Sequence, residues 1–174
     1  MTELPGLEDS RDELGPTGRP RHDFPVPPPL RSHGPARIIA LCNQKGGVGK
    51  TTITTLLGMA LADLRSDRIV AIDANPDRGT LAERVNRQTR STVRDVVIHA
   101  PDIRDDADLQ RHLSRDITGL DVLASDTDPL ISEAFDENDY NVIADVLTHH
   151  DTGIVLTDCG TGIVHSGMRA TLQR

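Results

Sequence analysis

The sequence predicts an α/β fold of three layers, with a mainly parallel sheet held between helices on both faces. Three observations carry that prediction. Short apolar runs at 38–42, 68–73 and 154–158 read as buried parallel strands, and the last two end in a carboxylate. Residues 51–64 carry apolar side chains at helical spacing and join the first two runs as a right-handed strand–helix–strand unit. At the junction of that first strand and helix stands Asn43-Gln44-Lys45-Gly46-Gly47-Val48-Gly49-Lys50-Thr51-Thr52, a glycine-rich turn.

Such a turn is the context a phosphate-binding loop requires. Its glycines let the backbone of Gly46, Gly47, Val48 and Gly49 curl until several N–H groups face one phosphate. The first residues of the helix, Lys50, Thr51 and Thr52, add unpaired N–H groups and the positive end of the helix dipole. Lys50 would reach the β- and γ-phosphates of a nucleotide, and the Thr51 hydroxyl would coordinate Mg²⁺. The fold class becomes a three-layer P-loop NTPase. A glycine turn that binds nothing is the competing reading.

The common pattern of this loop places glycine at position 44, where this chain has Gln44, and a second lysine, Lys45, precedes the double glycine. The run Lys45-Gly46-Gly47-Val48-Gly49-Lys50-Thr51-Thr52 resembles the deviant Walker A motif of the ParA/MinD family of ATPases. The resemblance implies that Lys45 crosses a dimer interface to the partner subunit's nucleotide, making ATP part of the contact. Without it, Lys45 would read as a solvated loop lysine.

Composition narrows the classes. The chain has 174 residues, net charge −8 and 2% aromatic content, so the core must be aliphatic. An acidic balance argues against an extended nucleic-acid surface. No run approaches the about 18 apolar residues of a membrane span, and no signal-peptide core is present. Cys42 and Cys159 each end a predicted strand, which suits small buried side chains in a reducing cytosol better than a disulfide framework.

Residues 1–35 read as a disordered tail, holding eight of the eleven prolines, and residues 36–174 as the N-terminal portion of a P-loop ATPase domain. Pro25-Val26-Pro27-Pro28 has the form of a docking motif, but composition favours a linker. In the helix, Ile53, Leu56, Leu57, Ala60, Leu61 and Leu64 form one stripe, expected to lie on the sheet. Further elements are expected as a short helix at 79–85, weak helices at 92–99 and 105–113, a strand at 120–125 and a helix at 140–149. Asp102, Asp105, Asp106 and Asp108 read as a solvated face rather than a metal site, and His149-His150 as a solvated helix end.

Asp73-Ala74-Asn75-Pro76-Asp77 leaves the carboxyl end of a strand, where open α/β sheets place ligands. The resemblance aligns it with the family's first switch, in which a second aspartate handles the attacking water. Here that position is Asn75, which can hold a water but cannot take its proton. Asp77 is the competing candidate. Asp73 is expected to contact the Mg²⁺ shell or Lys50, although Asp, Asn and Pro also build turns without any ligand. Asp158 has the Walker B placement, a carboxylate at a strand tip facing the loop and binding Mg²⁺ through its water shell. Asp158-Cys159-Gly160-Thr161-Gly162 resembles the second switch, and residues 165–172 the helix after it.

The resemblance covers residues 36–174 but only the first half to two-thirds of a family domain, so the fold is expected to be incomplete at the C-terminus. Residues 34–52 look most like chromosomal ParA; the switches look closer to MinD-like ATPases associated with type VII secretion. The implied activity is slow ATP hydrolysis with ATP and Mg²⁺ as cofactors. It further implies an ATP-dependent homodimer, a cytoplasmic setting and a partner protein that stimulates turnover, the output being the positioning of DNA or of a protein assembly. DNA contact would come only through the missing C-terminal part. A nucleotide-binding regulatory module with little turnover, or an inactive fragment, are the alternatives. An exposed sheet edge should also leave the isolated chain prone to association.

Overall fold

The computed structural model describes residues 36–43, 45–75, 79–126 and 137–159. The expected tail, Asp77, Gly160 to Gly162 and the helix at 165–172 lie outside them. Five strands form one sheet: β1 (Arg37–Leu41), β2 (Arg68–Ala74), β3 (Ser114–Arg115), β4 (Asp121–Leu123) and β5 (Thr152–Cys159). Their order is β1-β5-β2-β4-β3. All neighbours are parallel except β3 with β4. The helices are α1 (Lys50–Leu64), α2 (Val93–His99), α3 (Asp106–Gln110) and α4 (Glu137–His149), with 3₁₀ turns at Leu81–Arg84 and Ala100–Asp102.

The two faces of the sheet carry separate aliphatic cores, giving the three expected layers. One gathers Ile69, Ala71, Leu120, Val122, Ile154 and Leu156 under α1, with Leu81 and Ala82 of the 3₁₀ turn. The other gathers Val70, Ile72, Leu123 and Val155 under α2 and α4, through Val93, Val96, Ile143 and Leu147. Alternate residues of β2 serve opposite faces, so its apolar run is continuous.

Helix α1 departs from expectation in the face it buries. Thr54, Thr55 and Gly58 lie against the sheet, flanked by Met59, Leu61 and Ala62, while Ile53, Leu56, Leu57 and Leu64 are exposed. Of the predicted stripe only Leu61 joins the core. Gly58 explains the reversal: a Cβ there would press on the Leu120 methyls and Leu156, so the helix can approach the sheet closely only on this side. The threonines lose their polarity locally, Thr54 Oγ1 donating to the Lys50 carbonyl at 3.0 Å and Thr55 Oγ1 to the Thr51 carbonyl at 2.8 Å. The helix therefore carries apolar residues on its exposed side as well as on the side that meets the sheet.

Three smaller elements carry caps or pairs that periodicity did not show. Thr92 and Asp95 form a capping box at the start of α2. Asp105 accepts from the Asp108 N–H at 2.8 Å and starts α3, so part of the acidic cluster serves the fold. His150, expected in solvent, is 10% exposed and stands 3.3 Å from Asp106. Among the described residues no helix is long and apolar enough to cross a membrane, and no group of three or more His, Cys, Asp or Glu could hold a metal ion.

Candidate nucleotide site

Three strand tips meet at one end of the sheet, because β5 lies between β1 and β2 and Leu41, Asp158 and Asp73 stand in register across them. The glycine loop springs from the first tip. Asn43 Oδ1 accepts from the Lys45 N–H at 2.9 Å, closing a turn at the loop's base. Gly47 and Gly49 have φ of +71° and +92°, left-handed values that L side chains adopt only with strain. Gly49 caps α1, its carbonyl accepting from the Ile53 N–H at 2.9 Å. Gly46, Gly47 and Val48 are exposed, so the inner face of the loop is open to a ligand.

Lys50 Nζ donates to the Lys45 carbonyl at 3.3 Å and so lies across this loop. The side chain of Lys45 is exposed. Thr51 follows at the first turn of α1, near enough to Asp158 for its hydroxyl to favour the charged form of that carboxyl. Thr52 is exposed on the same turn. Asp158 is 2% exposed, and its Oδ1 is buried without a hydrogen-bond partner. Burial pushes its carboxyl above the ordinary range, while the Thr51 hydroxyl and the charge of Lys50 pull the other way. A buried carboxylate oxygen without a donor, beside a threonine hydroxyl, fits the hard oxygen environment of Mg²⁺. Thr51 and Asp158 are the residues that would hold it.

Asp73 is turned to the chain that follows it. It is 1% exposed, and its oxygens accept from the Leu81 N–H at 2.9 Å and the Asn75 N–H at 3.2 Å. A Cβ on Gly79 would overlap the carboxylate, so glycine is needed there for the chain to fold over it. Burial is the main cause that raises its pKa to about 6, against the two N–H bonds, with Asp158 and Glu83 adding to the rise. Asn75 sits one residue beyond the strand, tied by its N–H to Asp73.

Sequence reasoning missed the neighbour of Asp158. Cys42, expected to be buried, is exposed, and its Sγ stands 3.0 Å from that of buried Cys159. The only signal was that both close a strand.

A glycine loop between a parallel strand and a helix, beside a second strand tipped by a buried carboxylate, defines a nucleotide-binding α/β protein of the P-loop class. The family described as AAA domain matches residues 36–159. The chain is 38% identical over 135 residues to the ESX-1 secretion-associated protein EspI of Mycobacterium tuberculosis, covering 78% of this chain and 20% of that protein. It is 38% identical over 100 residues to the chromosome partitioning protein ParA of Caulobacter vibrioides, covering 56% and 35%. A ParA family ATPase from Chlorobium tepidum superposes with a TM-score of 0.66 at 18% identity, covering 80% of this chain and 57% of that one. MinD from Pyrococcus horikoshii, solved with Mg-ADP, superposes with a TM-score of 0.56 at 25% identity, covering 79% and 54%. The chain belongs to the ParA/MinD family of P-loop ATPases. It spans about a fifth to a third of the length of these curated relatives.

Proposed function

We propose that the chain binds ATP·Mg²⁺ at the joined tips of β1 and β5 and uses it to control association with a second copy of itself. The observation that carries this reading is the buried, partnerless Oδ1 of Asp158 beside Thr51 and the glycine loop. Gly46 to Gly49 would wrap the phosphates, Lys50 would turn from the Lys45 carbonyl onto the β- and γ-phosphates, and Thr51 and Asp158 would hold the metal shell. Mg²⁺ supplies charge neutralisation at the β- and γ-oxygens. Exposed Lys45 would reach a partner's nucleotide. Asp73 would hold the first switch against the site through its two N–H bonds.

Hydrolysis would be slow, because general-base help is worth about 10²–10⁴-fold and Asn75 cannot take a proton. The setting would be cytoplasmic, with a partner protein that stimulates turnover. Likeness to a secretion-associated protein over a longer stretch than to ParA favours a protein assembly over DNA as the thing positioned. Asn75 also favours a second reading, a regulatory module that switches on binding alone. Asn75→Asp should raise turnover under the first reading and change nothing under the second.

Calorimetry and light scattering test the core of the proposal. Lys50→Ala should abolish ATP·Mg²⁺ binding, whereas Lys45→Ala should keep monomer binding and lose ATP-dependent dimerisation. Equal loss of binding in both would remove the case for a lysine that crosses between subunits.

A further inference from the structure

Cys42 and Cys159 are the only cysteines of the chain, and the sheet brings them together across 117 residues of sequence. Leu41 pairs with Asp158 in parallel register, and one residue further on stand Cys42, just past the end of β1, and Cys159, the last residue of β5. Paired positions on neighbouring strands lie about 4.8 Å apart, inside the 4.4–6.8 Å window that a disulfide spans between Cα atoms. The two Sγ atoms are 3.0 Å apart, Cys42 donating, and Cys159 Sγ also donates to the Thr157 carbonyl at 3.8 Å. An approach of about 1 Å would complete the bond. Cys42 is exposed and Cys159 buried, so an oxidant reaches one sulfur and the other waits behind it.

We propose that this pair is an oxidative modification site, a dithiol that a peroxide closes to an intramolecular disulfide. The Cys42 thiolate attacks the peroxide O–O bond, becoming a sulfenic acid as hydroxide or an alkoxide departs and takes up the proton the thiol had released. The Cys159 sulfur then displaces hydroxide from the Cys42 sulfur, and the Cys159 proton leaves with it as water. Two thiols lose two protons and two electrons, and the peroxide is reduced. A small thiol reopens the bond by exchange. Closure would join the residue from which the phosphate loop springs to the residue after Asp158.

The test is exposure of the full chain to hydrogen peroxide after removal of reductant, read by thiol titration, intact mass and non-reducing electrophoresis. The monomer should lose both thiols and two hydrogens, yield a linked Cys42–Cys159 peptide on digestion, and recover both thiols with dithiothreitol. Closing so long a loop should raise the melting midpoint by about 5–15 °C. Cys42→Ser, at an exposed position, should keep the circular dichroism of the parent and lose both the crosslink and the melting shift. Thiols that stay reduced, that oxidise independently to sulfinic acids, or that link two chains would overturn the proposal. None of these readouts depends on nucleotide, so failure here and failure of the nucleotide reading are distinguishable.

Discussion

Both ends of the sheet bury carboxylates, but they treat them differently. At the amino ends of the strands, Asp67 is held by Arg65 at 2.8 and 2.7 Å. Asp121, 0% exposed, is held by Arg115 at 2.8 and 2.7 Å and faces Arg68 Nε at 3.3 Å. Arg65, Asp67, Arg68 and Arg115 line a cavity of about 290 Å³ whose arginines are already engaged with acids. At the carboxyl ends, Asp73 and Asp158 are as deeply buried, yet among the described residues no arginine meets them, and burial raises both. One end pairs its carboxylates with arginines; the other holds Asp73 by backbone N–H groups and leaves Asp158 Oδ1 without a partner. Under the proposed function, the difference separates groups that hold the structure from Asp158, which would be placed for a ligand.

Breaking the amino end should cost most. Asp121→Ala leaves the guanidinium of Arg68, whose side chain is 11% exposed, without its nearest buried carboxylate. Loss of one partner of a buried pair costs about 3–5 kcal/mol, and urea unfolding should show it. At the carboxyl end the charge itself is the cost. Asp73 has an ordinary value of 3.8 and about 6 in the fold, so folding favours its protonated form. Its contribution is fully present below pH 3.8 and is lost as pH rises through 6, a difference of about 3 kcal/mol at neutral pH. Denaturation at pH 7 and pH 5 should therefore show about 1 kcal/mol regained at the lower pH, a gain absent from Asp73→Asn. The smallest stability change belongs to Asp158→Asn. It removes a buried charge and leaves stability within about 1 kcal/mol, while the Mg²⁺-dependent part of ATP affinity disappears. A large loss of stability in Asp158→Asn would erase the distinction between the two ends.

The carboxyl end was the legible one. Phosphate binding by backbone requires consecutive glycines, so the loop shows itself within eight residues, and strands that end in Asp158 and Asp73 stand out against apolar runs. The ion pairs of the amino end join residues such as Arg68 and Asp121, whose distance in sequence leaves no local pattern. The face of α1 was misread for a different reason. With apolar residues on both the exposed and the sheet-facing side, spacing does not choose a face; the close approach allowed by Gly58 does, and size complementarity with Leu120 is not written in periodicity. The cysteine pair was hidden because its proximity follows from strand order alone.

That strand order has a bearing on synthesis. β1 and β2 are consecutive strands, yet they lie one strand apart, and the space between them is filled by β5, which begins 78 residues after β2 ends. At about 5–20 residues per second, a ribosome needs about 4–16 s to deliver it. During that interval the nascent chain must keep two strand edges from closing on each other, the edges between which β5 later pairs. The glycine loop is made early and Asp158 late, so under the proposed function a half-made chain would have the cradle without its metal-facing wall.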